Sequence, residues 1–92
     1  LNIGGSTHIQ TEKEVLTSVE GSTLAQLFSD MHALKQVNEE VFLDRDGKTF
    51  ETLINYLRND RKVFPEFVAK NDENMFYKEM HYWGIDKHNR NW

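Results

Sequence analysis

Val41-Phe42-Leu43-Asp44-Arg45-Asp46-Gly47 runs straight into Lys48-Thr49-Phe50-Glu51-Thr52-Leu53-Ile54-Asn55-Tyr56-Leu57-Arg58. The opening three residues are strand formers in a run too short for a helix. Asp46-Gly47 then opens the most strongly patterned helix of the chain. Phe50, Leu53, Ile54 and Leu57 share one stripe, with Glu51, Thr52, Asn55 and Arg58 mostly off it. A short run of strand formers thus gives way to a period near 3.6 within a few residues, which predicts a strand feeding a helix with one buried face.

Towards the N-terminus, Leu1-Asn2-Ile3 and Thr7-His8-Ile9-Gln10-Thr11 both alternate apolar and polar residues. Gly4-Gly5 between them supplies the positive φ of a tight turn, so the pair reads as a short hairpin. Thr11 and Glu14 have the spacing of a capping box before Val15-Leu16, and Thr23 and Gln26 repeat it. After the second box, Leu24, Leu27, Phe28 and Met31 fall on one helical face. Residues 32–40 are polar and irregular and read as a connecting loop. Towards the C-terminus, Asn59-Asp60 ends the patterned helix, and Pro65 forces Val63-Phe64 to be extended. Asn71 or Asp72 is the expected cap of a last helix that turns Met75, Phe76, Met80 and Trp83 inward. Gly84 takes its left-handed end with Ile85 packing back. Three short strands with four or five helices give an α+β domain without repeats. Its expected extent is 1–86, followed over 87–92 by a polar tail leading towards a further C-terminal region. The start at Leu1, without Met, marks the sequence as an excerpt of a longer protein.

Ninety-two residues hold one core and no more. A formal charge of -4 repels a phosphate backbone, so nucleic acid is not an expected partner. The absence of cysteine removes disulfides and thiolate chemistry together and points to a reducing compartment, with the cytoplasm as default. No apolar run approaches the roughly 18 residues of a membrane span, and no membrane contact by this segment is expected.

Four ordered stretches resemble the potassium-channel-tetramerisation branch of the BTB/POZ domains. They are Leu1-Asn2-Ile3-Gly4-Gly5, Val41-Phe42-Leu43-Asp44-Arg45-Asp46-Gly47, Leu53-Ile54-Asn55-Tyr56-Leu57-Arg58 and Tyr82-Trp83-Gly84-Ile85. Met80, at a position usually small in that branch, and the long loop from Asn59 to Val63 depart from its pattern. The resemblance implies the BTB/POZ fold, a small three-stranded sheet packed with short helices. It also implies side-by-side self-assembly as a homotetramer or homopentamer ring. Two uses follow from it. One is a KCTD-like substrate adaptor whose ring binds the cullin scaffold of a ubiquitin ligase. The other is the cytoplasmic tetramerisation domain of a voltage-gated potassium channel. Asp-Arg-Asp-Gly at 44–47 and Asn-Tyr-Leu-Arg at 55–58 look closer to the adaptors.

Asp44, Arg45 and Asp46 alternate in charge at a strand end, and Asn55 and Arg58 lie on the polar side of the following helix. Such groups suit a head-to-tail contact, so these five are the expected oligomer interface. The plainer alternative gives Asp46 the role of a helix cap and Arg58 that of a solvated charge near the helix end.

No catalytic, cofactor or metal residues are expected. Asp44-Arg45-Asp46-Gly47 lacks the Gly and Glu positions of a calcium loop, and Gly4-Gly5-Ser6-Thr7 lacks the ending of a phosphate loop. His8, His32, His81 and His88 have no metal-ligand spacing, and zinc-binding members of the channel branch use cysteines absent here. Glu79 and His81 form no acid-base pair with a nucleophile, so an enzyme is not expected. The apolar stripes read as core. Phe64, Phe67 and Trp92 stand outside them, as either a contact patch or the edge of the core.

Overall fold

The computed structural model describes residues 1–29 and 41–85. The expected loop over 32–40 and tail over 87–92, with Met31, His32, His88 and Trp92, lie outside the described residues. The opening hairpin forms as its alternation requires. Strand β1 (Asn2–Ile3) turns through Gly4, Gly5 and Ser6 into β2 (Thr7–His8), pairing Asn2 with His8 and Ile3 with Thr7. Strand β3 (Phe42–Leu43) joins the other side of β1 in parallel, giving the order β2-β1-β3. A parallel neighbour needs a crossover, and α1 (Lys13–Leu16) and α2 (Thr23–Ser29) lie between the two strands in sequence. The central strand buries Ile3 completely.

Neither expected capping box forms. Glu12 is the N-cap of α1 without a side-chain bond, and the Thr11 hydroxyl is buried with no hydrogen-bond partner among the described residues. Before α2 the cap falls one residue earlier than expected. Buried Ser22 accepts the Ala25 N–H through its Oγ at 3.0 Å. Its backbone carbonyl accepts from Gln26. Thr23 is already helical, so Gln26 does not stand three residues after the cap.

Helix α3 (Gly47–Arg58) starts where its sequence says, capped by Asp46. Gly47 is required there by space. A Cβ at that position would overlap the Thr7 side chain, so α3 starts hard against β2. The stripe Phe50, Leu53, Ile54 and Leu57 is buried, and Tyr56 is buried beside it. Tyr56 meets Phe64 and Phe76 edge to face at 5.8 and 5.7 Å. Phe67 packs on Phe76 at 5.4 Å. Phe64 and Phe67 therefore close the core edge, and they widen the apolar face of α3 beyond the stripe. Burial pushes the Tyr56 phenol above its usual pKa, and its hydroxyl makes no hydrogen bond among the described residues.

Helix α4 (Lys70–Trp83) begins earlier than expected. Its N-cap is Ala69, which has no side-chain acceptor, and Asp72 and Glu73 instead lie in the first turn, where carboxylates favour the helix dipole. Phe76, Met80 and Trp83 face inward, and Trp83 meets Phe50 edge to face at 5.9 Å. Burying a side chain such as Phe76 contributes about 1.5–3 kcal/mol. At the C-terminal end Gly84 has φ 70°, its N–H reaches the His81 carbonyl, and the Ile85 N–H reaches that of Met80. This paired bonding is the Schellman closure, with buried Ile85 as its apolar contact.

Candidate functional site

The short link between β3 and α3 is the most heavily bonded polar region described. The Asp46 carboxylate accepts from the Thr49 N–H at 3.0 Å and the Thr49 hydroxyl at 2.7 Å. The hydroxyl bond, then the N–H bond, hold its pKa below the ordinary aspartate value, against the opposing effect of burial. Arg45 turns the other way, to α4. Its Nε and Nη2 donate to the two oxygens of Glu79 at 3.1 and 2.8 Å, and Trp83 Nε1 adds a third bond to that carboxylate at 2.8 Å. Glu79 is buried, its side chain 4% exposed, while that of Arg45 is 28% exposed. The guanidinium also lies 3.8 Å from the centroid of the Tyr82 ring. The hydrogen bond to Glu79 leads in raising the Arg45 pKa above its already high value, so the guanidinium stays charged.

Asn55 and Arg58 sit at the far end of α3. Arg58 donates to Asn55 Oδ1 at 2.9 Å and to the Gln10 carbonyl at 2.7 Å, and both side chains are exposed. Asp44 is exposed beside Arg45. The five expected interface residues thus form two groups, one at each end of a helix of 12 residues, roughly 18 Å long. One chain does not bring them together. Asp46 is a helix cap, as the plainer alternative had it, and Arg45 is bound within its own chain.

Sequence reasoning weighed Glu79 only as a neighbour of His81 and missed its burial among the inward residues Phe76, Met80 and Trp83. A carboxylate on an inward stripe, four residues before a tryptophan, is a signal that demands a cationic partner. It also missed a cleft of about 420 Å³ between the start of α3, the segment 66–68 and α4. Asp46, Glu66 and Asp72 rim it over an apolar floor of Phe67, Met75 and Phe76.

The match to known proteins follows this geometry. A family model described as the BTB/POZ domain matches residues 1–91. The chain belongs to the BTB/POZ domain family. This BTB/POZ domain is 41% identical over 61 residues to the Arabidopsis thaliana FH protein interacting protein FIP2, covering 64% of this chain and 20% of that protein. It is 37% identical over 67 residues to the human BTB/POZ domain-containing protein KCTD21, covering 72% of this chain and 25% of the relative. A rat relative, the BTB/POZ domain-containing adapter for CUL3-mediated RhoA degradation protein 2, is 36% identical over 66 residues, covering 72% and 21%. The chain therefore spans a fifth to a quarter of the length of these proteins. The BTB/POZ domain is a protein–protein interaction module, and the α+β arrangement of three strands and four helices among the described residues is its fold. Among those residues no helix is long and apolar enough to cross a membrane.

Proposed function

We propose that this BTB/POZ domain joins copies of itself into a ring of four or five and serves a KCTD-like substrate adaptor of a cullin-RING ubiquitin ligase in the cytoplasm. The observation that carries the self-assembly is the separation of its charged groups. Asp44 and Asp46 stand at one end of α3 and Arg58 at the other, on exposed positions that cannot meet within one chain. A head-to-tail contact brings one end of a subunit to the opposite end of its neighbour and closes when the rotation permits. The adaptor role draws on the likeness to KCTD21 and to the rat CUL3 adapter. In this reading Asp44, Arg45, Asp46, Asn55 and Arg58 line the contact, residues 1–86 form the assembling unit, and 87–92 lead away from it.

Native mass spectrometry is the first test, with a discrete species of four or five chains expected; a monomer at micromolar concentration overturns the ring. Asp44→Lys and Arg58→Glu test the contact itself, and each is expected to lower the mass without unfolding the chain. Arg45 is unsuited to such a test, because a carboxylate there would face buried Glu79. Retention on an immobilised cullin scaffold separates the adaptor role from bare assembly.

A further inference from the structure

We infer that the Lys62-Val63 loop of one copy seats in the acidic cleft of the next. This inference rests on the self-assembly reading and names the contact that would hold it. The cleft carries three carboxylates on its rim, Asp46, Glu66 and Asp72, against one ammonium, Lys48, which stands 3.9 Å from Asp72. Its floor is apolar. At the other end of α3 the balance is reversed. Arg58, Arg61 and Lys62 stand together in sequence against the single carboxylate of Asp60, and Val63 beside them is 64% exposed. Each end thus pairs charge with apolar surface, and each has the sign the other lacks.

Three observations make the loop the better insert. Its backbone is fixed, since the Arg61 N–H bonds the Tyr56 carbonyl and the Lys62 N–H the Asn59 carbonyl, both at 3.0 Å. A preset loop loses little freedom on docking. Its chemistry matches, because Lys62 supplies the charge for the rim and Val63 an apolar group for the floor. The charges to be paired are unspent, as the Lys62 ammonium of the loop and the Glu66 carboxylate of the cleft have no ion-pair partner among the described residues. A second copy is the occupant because both halves of the complementary pair belong to the same chain. Such a contact is heterologous, with each subunit inserting once and receiving once.

The experiment uses two single reversals and their combination in one chain. Lys62→Glu alone sets Glu against Glu66 in every contact, and Glu66→Lys alone sets Lys against Lys62. In the double variant every altered loop meets an altered cleft, whether the ring holds four chains or five. Sedimentation velocity across a concentration series reads the assembly midpoint. Each single variant is expected to need at least tenfold more protein than wild type, and the double variant to return within about twofold of it. Wild-type-like assembly of either variant alone overturns the inference and leaves the ring reading standing. Single variants that dissociate and are not restored in the double variant also overturn it, and place the two residues in separate contacts. A monomeric wild type removes both readings. Thermal unfolding accompanies each measurement, and if a reversal unfolds the chain, Lys62→Gln and Glu66→Gln take its place, with weaker assembly still required.

Discussion

The links at the two ends of α3 are both rich in charge, yet they spend it in opposite ways. Between β3 and α3, Arg45 points inward to a buried carboxylate and Asp46 binds the first turn of its own helix. Between α3 and α4, Lys62 and Glu66 point outward, and Val63 and Val68 are exposed with them. The difference lies in what packs nearby. The first link faces α4, where Glu79 needs a cation; the second passes over the aromatic layer of Tyr56, Phe64 and Phe76, which occupies the interior and leaves the charges at the surface. One link holds the fold together, and the other is free to hold something else.

The largest test of that contrast is Glu79→Ala. It strips Arg45 of its ion pair and leaves the Trp83 N–H without an acceptor, so the domain should lose about 3 kcal/mol of stability in urea unfolding. A loss under about 1 kcal/mol would place the inward link among ordinary surface ion pairs. Asp46→Ala should cost about 1 kcal/mol at pH 7 through the lost cap. The bonds from Thr49 lower the Asp46 pKa in the fold, so this contribution is complete above the unfolded value of 3.8 and is lost as the pH falls through the lower folded one. The gap between wild type and Asp46→Ala should therefore narrow in strong acid, below pH 3.8, and a constant gap would show that the carboxylate is not what caps the helix.

In the outward link, Asp60 and Arg61 have φ of 54° and 59°, a region that costs side-chain-bearing residues about 1 kcal/mol. Arg61→Gly relieves it, offset in part by the greater freedom of glycine in the unfolded chain, and should raise stability by up to about 1 kcal/mol. A fall in stability would mean that the Arg61 side chain contributes more than the strain it causes. Lys62→Glu should change the stability of the single chain least, by less than about 0.5 kcal/mol, while weakening assembly. Equal effects on both would erase the distinction between the two links.

Much of the fold was legible along the chain because periodicity reports burial directly. The stripe from Phe50 to Leu57, the Gly4-Gly5 turn and the Gly84-Ile85 closure all stand where their local chemistry puts them. The helix starts were less legible. Thr11, Thr23 and Asn71 each carry a plausible cap, but Glu12, Ser22 and Ala69 hold those positions, because packing sets where a helix can begin and a cap adds only about 1 kcal/mol. Tyr56 was passed over because its second wall comes from Phe64 and Phe76, which lie beyond the end of its own helix.

The sequence by itself determined an α+β domain of the BTB/POZ kind, its hairpin, its main helices and the residues at both ends of α3. Only the tertiary structure decided what those residues do. Arg45 and Glu79 are 34 positions apart, and no local pattern tells a charge that will be desolvated against a partner from one that will stay in water. That choice is made by the surfaces that packing brings together. It left Arg45 inside the domain's own framework and Lys62 on its surface.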